Sequence, residues 1–192
     1  MMLIPKENIY SKIEVKKSIF LSYIFHVTTR EEINKILKEY KLKFKTATHV
    51  VHGFRIGNLN SFTNGMSDDK EPKHTAGKPT LEAILNKNLT DTLIITVRYF
   101  GGTLLGKQGL NKAYSKSAYE VINKTNLIEK EENEILSLNL NYNQYNLLIR
   151  MQNKIGIKII DASFLDKIHT KIQFNIKNKN NILKFLQGNS LL

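Results

Sequence analysis

The feature that most constrains this chain is Leu93 to Tyr99, LIITVRY, which is almost continuously apolar up to Arg98. Seven residues are too few for a typical helix, and four of them are β-branched, so the run reads as a strand. Its lack of alternation means that both faces are buried, so it is central in a sheet that is covered on both sides. Exposing it would waste about 25 cal/mol per Å² of apolar surface.

Around this strand the pattern is mixed α and β. Ile9 to Val15 and Ser18 to Val27 read as two strands broken near Lys16-Lys17. Thr28-Thr29, followed by Glu at capping-box spacing, starts a helix whose Ile33, Ile36, Leu37 and Tyr40 share one face and which ends near Lys41. Thr48 to Ile56 reads as a third strand. Gly57 to Lys78 has no period and reads as a long loop, functional or disordered. Thr75 or Thr80 caps the next helix, with Leu81, Ile84 and Leu85 on its buried side. Phe100 to Leu110 is a glycine-rich turn, followed by a helix carrying Leu110, Ala113, Tyr114, Ser117, Ala118, Val121 and Ile122 inward.

The charged stretch Glu129 to Asn133 suggests a domain boundary, giving domains 1–130 and 131–192. The second domain reads as strand Ile135 to Tyr142, helix Gln144 to Lys154 stopped by Gly156, strands Ile157 to Phe164 and Thr170 to Ile176, and helix Asn180 to Gln187. This βαββα order is that of a small α+β, ferredoxin-like unit. The fold class is therefore α+β.

Composition narrows the function. The 192 residues include no cysteine, which excludes disulfides, thiolate metal sites and cysteine nucleophiles. No apolar run reaches membrane-spanning length, and the N-terminus lacks the apolar centre of a secretion signal, so a cytoplasmic protein is expected. The net charge is +12, with 21 basic and 12 acidic residues before Glu131 and 8 and 5 from there on. Such charge favours a polyanion such as RNA. Of the 29 basic residues only Arg30, Arg55, Arg98 and Arg150 are arginine. A lysine-, asparagine- and isoleucine-rich chain also follows from an AT-rich coding sequence, and both readings stand.

Two loops flank the central strand and hold the candidate chemistry. The first supplies Asp68, Asp69, Glu71, Thr75, Gly77 and Lys78. Its three carboxylates suit either a divalent cation or salt bridges across a groove, but lack EF-hand spacing. The second supplies Tyr99, Phe100, Gly101, Gly102, Gly106, Gly109, Lys112 and Tyr114, next to Arg98. Glycines and a following helix N-terminus can cradle an anion or simply make tight turns. His49 and His52 point to opposite faces of their strand and cannot share a metal. No metal, cofactor or catalytic constellation is expected. The two loops are expected to form one groove, lined by Arg98, Lys78 and His49 and oriented by Asp68, Asp69 and Glu71.

Four segments, KKSIF (Lys16 to Phe20), ATHVVHGFRIG (Ala47 to Gly57), DDKEP-KHTAGKPTL (Asp68 to Leu81) and TVRYFGGTLLGKQGLNKAY (Thr96 to Tyr114), resemble the IMPACT family. The family pattern in the last two is close to DDGEP-SGTAGKP and RYFGG-x-x-LG-x-GGL-x-RAY. Lys70, His74 and Gln108 stand where the family has Gly, Lys73 where it has Ser and Lys112 where it has Arg.

The resemblance implies an N-terminal α/β sandwich like that of a small-subunit ribosomal protein and elongation factor G domain IV. It also implies a ferredoxin-like second domain similar to domain V. It further implies a non-enzymatic regulator of translation, since eukaryotic members act in translational control. The partner would be RNA, the ribosome or a translation-related protein. A phosphate-handling hydrolase or metal-dependent enzyme is the alternative.

Overall fold

A computed structural model describes residues 2–58 and 61–192. The chain divides into two compact units, residues 1–130 and 131–192.

The first unit is built on strands β1 (Leu3–Pro5), β2 (Ile9–Val15), β3 (Ser18–His26), β4 (His49–Asn58), β5 (Ser61–Ser67), β6 (Thr92–Tyr99) and β7 (Leu127–Glu129). Its helices are α1 (Arg30–Lys43), α2 (Gly77–Asn86) and α3 (Gly106–Lys124). Five strands form an antiparallel sheet in the order β2-β3-β6-β4-β5, and β1 pairs separately with β7. The apolar strand β6 therefore lies in the middle, as its unbroken hydrophobicity requires. β3 and β4 run parallel to each other on either side of it, joined through α1, which makes a split β-α-β unit.

Both faces are covered. Leu93, Ile95 and Val97 pack with Phe25, Ile33, Tyr40, Val50 and Phe54 under α1. On the other face Ile94 packs with Ile24, Ala83, Ile84, Ala118 and Val121 under α2 and α3. Leu93, Ile94, Ile95 and Val97 are fully buried, which together contributes on the order of 10 kcal/mol. A buried hydroxyl contact, Ser22 to both Thr96 and Ser117 at 2.7 Å, ties β3, β6 and α3 together.

Local signals explain most ends. Thr29 and Glu32 form the capping box of α1. Lys16 and Lys17 turn between β2 and β3 with φ of 47° and 65°, the two-residue hairpin geometry that suits strand twist. The expected long loop is shorter than its sequence suggests. β5 lies inside it and pairs with β4, His52 opposite Ser67 and Asn58 opposite Ser61. As a largely exposed edge strand, SFTNGMS carries no apolar alternation to reveal it. The glycine turn is also shorter than expected, because α3 already begins at Gly106 and takes in Gly109.

The second unit contains β8 (Asn133–Leu140), α4 (Tyr142–Ile155), β9 (Ile157–Phe164), β10 (Ile168–Asn175) and α5 (Lys179–Gly188). Its antiparallel sheet has the order β8-β10-β9, a second split β-α-β. Asn141 and Gln144 cap α4, and Gly156 ends it at φ 73° in the left-handed region. The core joins Leu138, Leu140, Leu148, Ile172, Phe174 and Leu186.

His52 sits on the α1 face beside Phe54. Burial, then the charge of Lys41, pushes it down to about 4 from 6.5, and its Nδ1 has no hydrogen-bond partner among the described residues. The folded state thus favours the neutral ring. The unfolded chain takes up the proton first, so stability present above pH 6.5 is lost as pH falls towards 4. Between pH 7 and 4.5 this one group is expected to remove about 2 kcal/mol. Urea unfolding across that range should show a smaller pH dependence for His52→Gln by that amount.

Candidate functional site

The site grows from one row across the sheet. Register places Phe20 of β3 and His49 of β4 on either side of Arg98 of β6, all facing α3. From above, α3 lowers Tyr114 onto Phe20, ring edge to ring face at 5.1 Å. The segment between β5 and α2 brings in Glu71, whose Oε1 is the hub. It accepts hydrogen bonds from Arg98 Nη1 at 2.6 Å and Tyr114 Oη at 2.8 Å, and His49 Nε2 lies 3.6 Å away. The Glu71 and Arg98 side chains are only 3% and 6% exposed. Burial, reinforced by the charge of Glu71, raises Tyr114 above the ordinary phenol range, so it stays a donor.

The loop carrying Glu71 is braced from inside. The Asp68 carboxylate accepts N–H bonds from His74 (2.8 Å), Ala76 (3.0 Å) and Gly77 (2.8 Å). Burial alone would raise its pKa, but these three donors outweigh it and hold the carboxyl below the usual range. Asp68 thereby caps α2, the role expected of Thr75 or Thr80. Those two hydroxyls instead donate to the carbonyls of Pro72 and Ala76.

Asp69 accepts the Val50 N–H at 2.7 Å through its carboxylate, and its carbonyl lies 2.8 Å from His49 Nδ1. A carbonyl only accepts, so Nδ1 carries a proton and Nε2 faces Glu71. With these carboxylates engaged by backbone amides, the donor set does not suit a divalent cation. Asp69, Lys70 and His74 have φ of 43°, 71° and 63°. At Lys70 and His74, where the family pattern has glycine, the chain thus keeps the left-handed turn at about 1 kcal/mol per residue.

The Gly101–Leu105 segment closes the other side. The Phe100 N–H bonds Thr48 Oγ1 at 3.0 Å and the Gly101 N–H bonds Ser18 Oγ at 3.2 Å. Gly101 rests on the β2–β3 turn, where a Cβ would meet Lys17 C at 2.0 Å. Gly102 and Gly106 have φ of 84° and 68°, which glycine adopts without the cost of about 1 kcal/mol that a side chain brings there.

Between the two loops lies a cleft of about 420 Å³. Arg98, His49 and Glu71 line it together with Pro72, Phe100, Leu104, Leu105, Lys107 and Leu110. Leu104 is 85% exposed at its rim.

Several expected groove residues lie elsewhere. Lys78 is outside the cleft and pairs with Glu82 at 3.8 Å, because helical spacing turns it to the opposite side. Tyr99 faces the α1 core, one residue out of phase with Arg98. Thr75 and Lys112 line a neighbouring depression. Gly77 packs against Ser67, and Gly109 lies within α3. Arg98 is not a free cation but is buried against Glu71. The apolar lining went unrecognised. Its signal was Leu104-Leu105, two leucines inside an otherwise polar glycine turn.

The first unit is thus an antiparallel sheet covered on both faces, with a cleft where two loops meet over a buried ion pair. The Impact N-terminal domain family model matches residues 16–122. An IMPACT family member from Haemophilus influenzae is 33% identical over 171 residues, 87% of this chain and 82% of that protein. The IMPACT family member YvyE of Bacillus subtilis is 34% identical over 137 residues, covering 71% of this chain and 63% of its own length. The crystal structure of a hypothetical protein superposes with a TM-score of 0.72 at 25% identity, over 97% of this chain and 93% of the other. The chain belongs to the IMPACT family.

Proposed function

We propose that this protein acts in translational control as a cytoplasmic, non-enzymatic binding protein, and that its cleft docks a protein component of the translation apparatus. The observation that carries this reading is the lining of the cleft. Phe100, Leu104, Leu105 and Leu110 surround it, and its one buried cation, Arg98, is already neutralised by Glu71. A site for nucleic acid would present a row of unpaired cations and stacking faces, where this lining has Lys107 and Phe100 beside three leucines. A small apolar cleft with a few fixed polar groups suits a side chain of a protein.

Membership of a family whose eukaryotic members act in translational control supports the process. Two further analogies fit it. We read the first unit as akin to elongation factor G domain IV, and the second, with its β8-β10-β9 sheet and α4, as ferredoxin-like. Among the described residues no helix is long and apolar enough to cross a membrane.

The reading is tested by capture from native lysate, with and without RNase, using wild type and Phe100→Ala/Leu104→Ala. Translation factors or ribosomal proteins should remain bound after RNase and be lost from the double variant. Retention only in the absence of RNase would favour an RNA contact and overturn the protein-docking reading.

A further inference from the structure

The five-stranded sheet of the first unit ends in an open edge. β5 is the last strand in the order β2-β3-β6-β4-β5 and pairs with β4 in unbroken register, from Asn58 opposite Ser61 to His52 opposite Ser67. Among the described residues no strand lies on its other side, so alternate N–H and C=O groups along β5 point outward without a ladder. Natural edges are usually guarded by charged side chains, proline or a bulge. β2, the opposite edge of the same sheet, exposes Lys12 and Glu14. β5, SFTNGMS, carries no charge, no proline and no bulge.

A second, independent observation lies beside that edge. An apolar groove of about 330 Å³ runs between β5 and α2, lined by Met66, His74, Lys78, Leu81, Glu82 and Leu85. The four α2 positions follow helical spacing and form one stripe, while Pro79, Thr80, Ala83 and Ile84 hold the helix to the core. Met66 faces this stripe, because it sits opposite Gly53, where a Cβ would meet the Leu81 backbone N at 2.8 Å. Leu81 and Leu85 are only half-buried and Met66 is 40% exposed. A strand laid about 4.8 Å beyond β5 would send every second side chain into the groove. Free backbone groups for the ladder and a pocket for alternate side chains are the two requirements of strand addition.

Charge selects the occupant. Lys70, Lys73 and Lys78 are exposed in and just before the groove, and its one carboxylate, Glu82, already pairs with Lys78 at 3.8 Å. The β5 of a second copy brings no acid to meet these lysines. We propose that β5 receives an extended, acidic segment of another protein as a sixth strand of the sheet. Its apolar residues, at alternate positions, lie against Met66, Leu81 and Leu85, and its carboxylates meet the lysines. This surface is separate from the cleft beside Arg98 and stands independently of it.

The probe is a library of displayed peptides, randomised over ten positions between fixed flanks. It is selected on the purified full chain and counter-selected on Met66→Lys/Leu85→Lys, which places two cations in the groove at partly exposed positions. Peptides that alternate apolar residues and are rich in Asp and Glu should be enriched. Their binding should slow hydrogen exchange at alternate β5 amides by about tenfold or more. N-methylation of the peptide backbone should cut affinity about tenfold at every second position only, since a strand bonds its neighbour through alternate residues. No peptide surviving counter-selection, or binding indifferent to methylation at both sets of positions, would overturn the inference. Protection of the same amides without peptide, growing with protein concentration, would also overturn it by assigning the edge to a second copy. Should the double variant fail to fold, the exchange and methylation series on wild type decide the question alone.

Discussion

The substitution Glu71→Gln is expected to destabilise the N-terminal unit by about 3–5 kcal/mol, lowering its Tm by about 10 °C. Glu71 is the only carboxylate in contact with the buried Arg98 among the described residues. The amide keeps the shape but removes the charge, leaving a guanidinium that is 6% exposed without compensation. It also weakens the acceptor that Tyr114 uses at 2.8 Å. The loss comes from the orphaned partner rather than from the pair itself, since the attraction of a buried pair is largely offset by the cost of drying both ions. The double variant Glu71→Gln/Arg98→Met should therefore recover much of the loss. Urea unfolding of wild type, both single variants and the double variant measures this. A double variant whose losses simply add would contradict the coupling described here.

Gly101→Ala carries the second large effect, about 3 kcal/mol, with loss of partner capture. Its Cβ would lie 2.0 Å from Lys17 C and 2.1 Å from Lys17 O, which are backbone atoms of a tight hairpin turn and cannot rotate away. Either that turn or the Phe100–Leu105 segment must move, and the cleft wall moves with it. Gly102→Ala is the control. A Cβ there meets nothing within 4 Å, and only the φ of 84° resists it, at a cost of about 1 kcal/mol. Unfolding and capture measured on the two variants should rank them in that order. Equal losses would show that Gly101 acts through backbone freedom and not through its contact with the β2–β3 turn.

The parts of this fold that could be read from the sequence are those whose causes are local. LIITVRY announces a doubly covered strand, Thr29 with Glu32 a helix start, and Gly156 a helix stop. What escaped is set by partners distant along the chain. β5 is polar because it is an exposed edge, so it offered no period to detect. The cap of α2 comes from Asp68, eight and nine residues before the amides it binds, beyond the reach of a capping rule. Arg98 looked like a free cation because its neutraliser, Glu71, is 27 positions away in sequence. The family resemblance pointed to the two loops that line the cleft, yet it directed attention to charge. The leucines between the glycines only acquire meaning once the two loops are seen to face each other. Lys70 and His74 show the converse, since the sequence had lost its glycines there while the backbone kept the conformation they serve.

The most direct measurement places a photo-crosslinking amino acid at position 104, where Leu104 is 85% exposed at the rim of the cleft and tolerates replacement. After irradiation in cells, cross-linked species are digested with RNase and identified by mass spectrometry. A discrete RNase-resistant adduct to a ribosomal protein or translation factor, lost when Gly101→Ala is added, is the result expected of a protein-docking cleft. An adduct to RNA, or no adduct above that of an exposed control position such as Tyr10 on β2, would contradict it.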